Sequence, residues 1–352
     1  MSARKSVNGL PAKALVIAHR GASALRPEHT LAAYAKAIAD GADYIEPDLV
    51  MTGDGVLVAR HEVELSRSTD VAEHPGFAAR RRVKEVDGVS VSGWFCDDFS
   101  FAELRRLRCR EPMPDLRSRT HDGLYMIPSF TEIVELAERE AHAGGRPIGI
   151  IPEIKNSTWF HSRSLHPEQA IVAALEDHAY LQRAPLAIQS FEVSNLRALH
   201  ELLGDRANIA LVQLIGDAGQ VPFDLQGRGD AQQTYAAMLG PAGLAEISRY
   251  AKVVAAHVRA ILPLDVQGGL PGCGAAWLAE AHALGLHVHA WTLRPENRFL
   301  PAALRCGSDP AQRCERGCLA EMRALIEAGV DGLFTDDPAL GRRAVDGAAA
   351  ID

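Results

Sequence analysis

Eight apolar runs of strand length alternate with segments of helical periodicity, and this alternation limits the fold of the chain more than any other feature. The runs cover residues 15–19, 44–50, 148–154, 186–189, 209–213, 253–257, 286–291 and 332–334. Strands that alternate with helices are typical of parallel α/β folds, because each helix carries the chain back to begin the next strand. The helix predicted over residues 30–40 would place Leu31, Tyr34, Ala35 and Ile38 on its buried face.

Three glycines stand between a helical segment and the next strand, at Gly41, Gly285 and Gly329. Glycine readily adopts the left-handed conformation that ends a helix and turns the chain into a strand. Because this junction recurs over the whole length, we predict that residues 1–352 form one domain, a (β/α)8 TIM barrel. An open doubly wound sheet would need a glycine-rich dinucleotide loop after the first strand, and residues 21–24 do not supply one.

A TIM barrel needs about 250 residues, so roughly a hundred residues of this chain must lie in insertions. The largest predicted insertion covers about residues 62–127, after the hairpin that follows the second strand, and smaller ones cover residues 215–240 and 294–317. Ser100 with Glu103, and Ser129 with Glu132, form capping boxes that predict a helix inside the large insertion and a helix just after it. Since this insertion begins beside His61, we expect it to fold over the mouth of the barrel.

The charge and the apolar content exclude several classes of partner. The formal net charge is −8 and no basic stripe is present, which argues against nucleic-acid binding. No apolar stretch approaches the ~18 residues of a membrane span, and the first 13 residues lack the apolar core of a secretory signal. A cytoplasmic location follows, or a periplasmic or secreted one if an export signal has been removed. The oligomeric state stays open.

The six cysteines are too few for a disulfide scaffold. Cys306, Cys314 and Cys318 lie close together in the sequence, but their spacing matches no common zinc site. We therefore expect unpaired thiols in a loop.

Polar residues follow the predicted strands at the end where TIM barrels carry their active sites. His19 ends the first strand, Glu46 and Asp48 lie in the second, and Glu153 and Lys155 end the third. His61 follows an extended segment beside the second strand. Because residues i and i+2 of a strand share a face, Glu46 and Asp48 point the same way, and so do Glu153 and Lys155.

Three carboxylates at one barrel mouth repel one another, and a divalent cation relieves that repulsion. A ligand set of oxygens without cysteine favours Mg²⁺ or Ca²⁺ over zinc. We therefore predict that Glu46, Asp48 and Glu153 bind such a cation. The alternative is that arginine and lysine partners satisfy these carboxylates.

His19 and His61 follow neighbouring strands, and two histidines with a pKa of ~6.5 can act as base and acid near neutral pH. Arg20 and Lys155 can hold an anion, the arginine through a planar fork that fits phosphate oxygens. Two cationic side chains, two histidines and a cation around one anionic group indicate phosphoryl-ester chemistry.

The residues that carry these features resemble the glycerophosphodiester phosphodiesterase family over nearly the whole chain. The matching segments are His19-Arg20-Gly21-Ala22, Pro27-Glu28-His29-Thr30, Gly41-Ala42-Asp43-Tyr44-Ile45-Glu46-Pro47-Asp48, Val58-Ala59-Arg60-His61, Leu65-Ser66-Arg67-Ser68-Thr69-Asp70, Pro152-Glu153-Ile154-Lys155, Gln189-Ser190-Phe191 and Asp331-Gly332-Leu333-Phe334-Thr335-Asp336.

The resemblance implies a TIM barrel with an insertion after the hairpin of the second strand. It also implies a role for each candidate residue: metal ligands Glu46, Asp48 and Glu153, acid–base histidines His19 and His61, and phosphate contacts Arg20 and Lys155. Glu28 would lie near the metal or the glycerol hydroxyls. Trp291 is similar to an aromatic residue that lines the substrate mouth, although a buried core tryptophan is an equal alternative.

The chain departs from the family pattern at Glu62, where the family usually has Asp, and a carboxylate at this position should still orient His61. The segment between Asp205 and Lys252 and the loop near Cys314 match nothing in the pattern. We therefore expect an enzyme that hydrolyses glycerophosphodiesters, small-molecule substrates, to glycerol 3-phosphate and an alcohol. The alternatives are a phospholipase-type phosphodiesterase acting on lipids and a non-catalytic glycerophosphodiester-binding protein.

Overall fold

The computed structural model describes residues 13–226, 233–265 and 267–347. Its strands are β1 (Leu15–His19), β2 (Tyr44–Glu46), β3 (Asp48–Met51), β4 (Leu57–Ala59), β5 (Arg82–Val86), β6 (Val89–Gly93), β7 (Gly149–Ile150), β8 (Glu153–Ile154), β9 (Leu186–Ser190), β10 (Ile209–Ile215), β11 (Val253–His257), β12 (His287–Leu293) and β13 (Gly332–Thr335). Its α-helices are α1 (Leu31–Ala39), α2 (Phe101–Leu104), α3 (Phe130–Gly144), α4 (Ser157–His161), α5 (Pro167–Asp177), α6 (Val193–Leu203), α7 (Tyr235–Met238), α8 (Pro241–Ile247), α9 (Val258–Ile261), α10 (Trp277–Ala283), α11 (Glu315–Ala328) and α12 (Pro338–Asp346). Short 3₁₀ helices cover Val71–Glu73, Pro75–Arg80, Cys96–Asp98, Phe223–Leu225 and Ala302–Leu304.

Parallel strands pair in chain order around a closed barrel. β1 pairs with β13 on one side and β2 on the other, and the β9–β10 pairing closes the circle. The second barrel strand consists of β2 and β3, separated at Pro47, and the third consists of β7 and β8, separated at Ile151 and Pro152. A proline cannot donate a backbone hydrogen bond, which interrupts the ladder at these positions. The predicted eight strands and TIM-barrel fold are confirmed.

The barrel interior is filled by apolar side chains from most of its strands. They belong to a separate core cluster formed by Leu15, Ile17, Ile151, Ala187, Val212, Leu214, Val253, Ala255 and Phe334. The larger core cluster lies between the outer face of the barrel and the helices. The barrel is therefore a packed support for its mouth, as is usual for this fold.

The glycine junctions have the predicted conformation, with φ of 90° at Gly41, 77° at Gly285 and 107° at Gly329. The predicted buried face of α1 was partly wrong. The helix buries Ala33, Tyr34, Ala37 and Ile38, while Leu31 and Ala35 are only partly buried. The buried face of α1 contains small alanines because the helix packs closely on the chain that follows β1. A Cβ at Gly21 would lie 2.7 Å from Ala33.

The segment of residues 62–127 contains the β5–β6 hairpin, α2 and three of the 3₁₀ helices. Both predicted capping boxes are present, at Ser100 and Ser129. The sequence analysis missed the hairpin, although Asp87 and Gly88 form the Asp-Gly turn that favours one. The hairpin lies beside the chain that leaves β8, because Asn156 donates to Asp87 at 2.6 Å. The tip of the segment is therefore at the mouth of the barrel.

The expectation of unpaired thiols was wrong for two cysteines, because Cys306 and Cys314 form a disulfide. The bridge pairing of Glu296 with Arg313 folds this loop back on itself and leaves the two Cα atoms 5.3 Å apart, a usual disulfide separation. Cys318 is a free thiol buried in α11.

Within the described ranges, no helix combines the length and the apolar character that a membrane crossing requires.

Candidate active site

The three predicted carboxylate ligands meet where β2 ends and where β3 and β8 begin. The possible ligand oxygens of Glu46, Asp48 and Glu153 all lie within 4.8 Å of one another. Strand register explains this meeting, because Asp48 pairs with Glu153 across β3 and β8. The three side chains are almost fully buried, with relative exposures of 1%, 1% and 6%. The structure thus forms the acidic cluster that the sequence predicts.

Lys155 and Arg20 neutralise two of these three carboxylates. The Lys155 ammonium lies 2.9 Å from Glu153, and Nε of Arg20 lies 3.1 Å from Asp48. Although burial tends to raise the pKa of Asp48, Lys155 and Arg20 hold it well below its usual range. The alternative explanation, carboxylates satisfied by cationic side chains, therefore accounts for Asp48 and in part for Glu153.

Glu46 forms no ion pair with the residues that the structure describes, although the charge of Arg20 opposes the rise of its pKa. It accepts hydrogen bonds from the backbone N–H of Arg20 at 2.8 Å and from the side-chain amide of Gln189 at 3.0 Å. Burial, with the neighbouring charges of Asp48 and Glu153, raises its pKa well above the usual range. Burial also raises the pKa of Glu153 to about 8. A buried carboxylate that forms no ion pair with the described residues fits a site for a divalent cation, and the all-oxygen donor set suits a hard ion.

His19 and His61 each hydrogen bond to a carboxylate through Nδ1. The Nδ1 atom of His19 lies 2.6 Å from Asp336, and that of His61 lies 2.7 Å from Glu62. This arrangement fixes the orientation of each ring and leaves each Nε2 for a substrate. The departure at Glu62 therefore keeps the carboxylate contact to His61.

Both histidines are neutral at neutral pH in this state. Burial and the Arg20 charge lower the pKa of His19 to about 4, although Asp336 opposes the shift. Burial, Arg20 and Lys155 also lower the pKa of His61. Each imidazole can consequently accept a proton at Nε2.

The backbone bends sharply where the first strand delivers Arg20. Arg20 has φ of 61°, a left-handed value that is uncommon for residues other than glycine, and His29 has φ of 56°. Gly21 has φ of 86°, and a Cβ there would lie 2.7 Å from the backbone of Ala33. Left-handed conformations of non-glycine residues cluster at functional sites, where surrounding contacts hold them.

The candidate residues line two adjoining cavities at the mouth. The smaller, of about 100 Å³, is lined by His19, Arg20, Glu46, His61, Glu153, Lys155, Gln189, Phe191, Leu214, Trp291, Thr292, Arg294 and Phe334. A larger cavity of about 550 Å³ shares Glu153, Lys155, Phe191 and Trp291 with it. The smaller cavity thus brings together the two histidines and three cationic side chains, those of Arg20, Lys155 and Arg294.

The sequence model of the Glycerophosphoryl diester phosphodiesterase family matches residues 19–340. The chain belongs to this family. It is 31% identical over 333 residues to a glycerophosphodiester phosphodiesterase of Arabidopsis thaliana, across 91% of this chain and 82% of the relative. This member is accordingly an enzyme, a phosphoric diester hydrolase.

Solved structures confirm the fold. The chain matches one from Silicibacter pomeroyi with a TM-score of 0.64 and 21% identity, over 97% of this chain and 95% of that chain. It also matches an Oleispira antarctica phosphodiesterase in complex with the product sn-glycerol-3-phosphate, with a TM-score of 0.59 and 21% identity, over 95% of this chain and 97% of that one.

Two further candidates for substrate binding in this family member lie at the mouth in different settings. Glu28 is not part of the carboxylate cluster; it accepts a hydrogen bond from Arg20 at 2.8 Å. Burial tends to raise the pKa of Glu28, but Arg20 holds it well below the usual range. Trp291 is partly buried and lines both cavities, and its ring meets Phe191 edge to face at 5.8 Å.

The sequence analysis missed several residues that hold the site together. His29 is buried between Tyr34 and Asp48. Its Nδ1 lies 2.8 Å from the Tyr34 hydroxyl, and its Nε2 lies 2.8 Å from the Asp48 carboxylate. Asp336 accepts from His19 and is itself held by Arg117 at 2.6 Å and Arg294 at 2.9 Å. Asp336 follows the last barrel strand, so the positional argument used for His19 could have found it. Arg117 carried no such signal, because it lies in the irregular part of the 62–127 segment.

Proposed function

We propose that this chain hydrolyses glycerophosphodiesters to glycerol 3-phosphate and an alcohol, with a bound divalent cation and with His19 and His61 as the acid–base pair. The observation that carries the proposal is the convergence of two carboxylate-oriented histidines, Arg20 and Lys155 on one small cavity above the acidic cluster. The names of the Arabidopsis relative and of the Oleispira structure with its product support the substrate class.

Glu46, Asp48 and Glu153 would hold the cation, for which Mg²⁺ and Ca²⁺ are the candidates. When bound there, a divalent cation stabilises negative charge that develops on phosphoryl oxygens and on an attacking hydroxyl. Arg20 and Lys155 orient the phosphate by charge-assisted hydrogen bonds, and Trp291 limits the space beside it.

One histidine accepts a proton at Nε2 from the attacking group. If water attacks, glycerol 3-phosphate forms directly; if the neighbouring glycerol hydroxyl attacks, a cyclic phosphate forms, and water must then open it to glycerol 3-phosphate. The other donates a proton to the departing alcohol oxygen. Both have a lowered pKa without substrate. A bound phosphodiester brings negative charge beside the rings and so favours the protonated form of the donor. Asp336 and Glu62 keep each Nδ1 proton in place, so that exchange takes place at Nε2.

The products of turnover test the proposal and both alternatives. Incubation with glycerophosphocholine and Mg²⁺ or Ca²⁺ should release glycerol 3-phosphate and choline in equal amounts. A phospholipase should instead cleave phosphatidylcholine vesicles. Val83 and Val89 are exposed on the hairpin near the mouth, but Val83 is paired with Ser92 and followed by Lys84 and Glu85, so they form no apolar rim. Saturable binding of glycerophosphocholine without release of either product would favour a binding protein and contradict the proposal.

The contact between Asp336 and His19 predicts a positioning role. Asp336→Asn should lower kcat about 10–100-fold with little change in KM, because a hydrogen bond to a charged group is worth ~1.5–3 kcal/mol and ~1.36 kcal/mol is tenfold. Glu62→Gln is the matched variant at the other histidine. Its effect should be smaller, since the Glu62 side chain is 47% exposed and that of Asp336 only 2%.

A double variant separates positioning from general damage. If Asp336 acts through His19, Asp336→Asn should cost little more when His19 is already alanine. Equal losses in the presence and absence of His19, or a fall in KM and kcat that follows thermal destabilisation, would mean that Asp336 only supports the fold.

A further inference from the structure

The larger cavity of about 550 Å³ is placed to receive one ester arm of the substrate. It adjoins the small cavity through Glu153, Lys155, Phe191 and Trp291, which line both. A phosphodiester held by Lys155 can extend one of its alcohols past these four side chains. If the proposed function is correct, the residues that line the larger cavity therefore determine which alcohol groups of the substrate bind well.

Three carboxylates beyond the acidic cluster line this cavity: Asp87, Glu192 and Asp217. None of the three forms an ion pair with any residue that the structure describes. Lys155 is the sole basic side chain among the described lining residues, and it is already paired with Glu153. Asp87 and Asp217 thus give the wall of this cavity an excess of negative charge, which repels an anionic alcohol and attracts a cationic one. Burial raises the pKa of Glu192 to about 7, and a cation beside it would favour its ionised form.

Two of these carboxylates are held in place rather than free on the surface. Asp87, at the tip of the β5–β6 hairpin, accepts from Asn156 through one oxygen, while its other oxygen is buried without a partner. Glu192 is 5% exposed and accepts from the backbone N–H and the hydroxyl of Thr158. A cation entering the cavity would supply the charge partner that Asp87 and Glu192 lack.

Aromatic rings form the rest of the wall, from Phe191, Phe223, Tyr235 and Trp291. Phe191 meets Tyr235 and Trp291 edge to face, at centroid distances of 6.3 and 5.8 Å. Cations are attracted to the faces of such rings, and aromatic walls are the usual means of recognising quaternary ammonium groups. Aromatic rings and fixed carboxylates in one cavity thus both favour a cationic group.

We propose that the larger cavity selects glycerophosphodiesters whose leaving alcohol carries a positive charge, an amino alcohol or its quaternary ammonium form. Asp87, Asp217 and Glu192 provide the carboxylates, and Phe223 and Trp291 provide ring surface, because the Phe191 ring already has the Lys155 ammonium over it at 5.9 Å. The specificity thus comes from Asp87 in the β5–β6 hairpin, Glu192 after β9, Asp217 and Phe223 after β10, and Trp291 in β12.

Charge-neutralising variants test the proposal through the ratio of two substrates. Asp87→Asn combined with Asp217→Asn should lower kcat/KM for glycerophosphocholine about tenfold, the order expected for lost charges near a protein surface. The value for glycerophosphoglycerol, whose alcohol is neutral, should change less than about twofold. Asp177→Asn, at the exposed end of α5, removes the same kind of charge elsewhere and should leave the ratio unchanged.

Inhibition of the unmodified enzyme gives a second test that does not depend on the variants folding. Choline should inhibit glycerophosphoglycerol hydrolysis at a concentration about tenfold lower than 3,3-dimethylbutan-1-ol, its uncharged counterpart of the same shape. Equal inhibition by the two alcohols would overturn the proposal, as would equal losses for both substrates in the double variant. If the unmodified enzyme hydrolyses both substrates and these results are negative, only the selectivity fails; if it hydrolyses neither, the proposed function fails with it.

Discussion

Replacing either His19 or His61 with alanine should lower kcat at least ~10²–10⁴-fold, the usual contribution of general acid–base catalysis. Each ring is held by a carboxylate at Nδ1 and lines the small cavity, so each variant removes one proton-transfer group and leaves the other. Substrate binding should change little, because Arg20 and Lys155 still hold the phosphate. Rapid-quench turnover and equilibrium binding measure the two effects separately.

The double variant should cost much less than the product of the two single losses, since residues that act as one unit are not additive. A substrate with a very acidic leaving group needs no proton donor. It should therefore rescue the variant that lacks the acid and not the one that lacks the base, which assigns the two roles. His142→Ala, at an exposed position in the last turn of α3, is the control. Turnover within about tenfold of the unmodified enzyme for both single variants would mean that the histidines are structural.

The sequence predicts the barrel well because its signals are local. Strand-length apolar runs and the glycines at positions 41, 285 and 329 are each read from a short window, and the structure confirms them. The period of two along a strand also explains why Glu46 and Asp48 could be expected to meet Glu153. Even the two prolines, Pro47 and Pro152, interrupt strands without changing their place in the barrel.

The contacts that orient the site could not be predicted, because they join distant parts of the chain. Asp336 is 317 residues from His19, and Arg117 is 219 residues from Asp336. No periodicity specifies such pairs; only the closure of the barrel and the path of the 62–127 segment bring them together. The Cys306–Cys314 disulfide was missed for a similar reason, since the return of the chain at Glu296 and Arg313 has no local sequence signal.

The 62–127 segment does more than cover the mouth of the barrel, because its side chains are part of the hydrophobic core. Its residues Leu65, Phe95, Phe99 and Leu104 are buried in the large core cluster. Arg117 from the same segment is buried against Glu296 and Asp336. The segment thus contributes to the fold, to the support of His19 and, through Asp87, to the larger cavity.

Replacing Glu46 with glutamine should weaken binding of the divalent cation at least ~10–100-fold. Loss of a residue that only supports a metal ligand already has an effect of this size, and Glu46 is proposed as a ligand itself. Activity should fall by about 10³-fold, since a metal contributes several kcal/mol to charge stabilisation and ~1.36 kcal/mol is tenfold. The shape is conserved, and the hydrogen bonds can be kept: Oε1 of Gln189 has no partner and can accept from the new amide after a side-chain flip. Chelation should abolish the activity of the unmodified enzyme, and Mg²⁺ or Ca²⁺ should restore it.

Calorimetric titration with each ion measures the affinity, and Glu111→Gln is the matched control. Glu111 is also a buried carboxyl with its pKa raised, to about 7, mainly by burial, but it is outside the acidic cluster. Unchanged metal affinity in Glu46→Gln, or full activity of the unmodified enzyme after exhaustive chelation, would remove the metal site from the mechanism.

Glu46→Gln, which should lower the activity, should raise the thermal stability of the protein when the metal has been removed by chelation. Glu153 has a pKa raised from 4.5 to about 8, and that of Glu46 is also raised, so the folded state binds more protons than the unfolded state in this range. Stability should therefore fall as the pH rises from about 6.5 to 8, by the linkage between proton binding and folding. Below about 6.5 the buried His19, His29 and His289 oppose this trend, because their pKa is lowered to about 4. Glutamine at position 46 carries no charge to repel Asp48 and Glu153, so the chelated variant should lose less stability and melt at a higher temperature than the chelated parent at pH 8. Thermal unfolding of both proteins across this pH range measures the difference; a variant that melts lower at pH 8 would show that Glu46 is already compensated and does not need a cation.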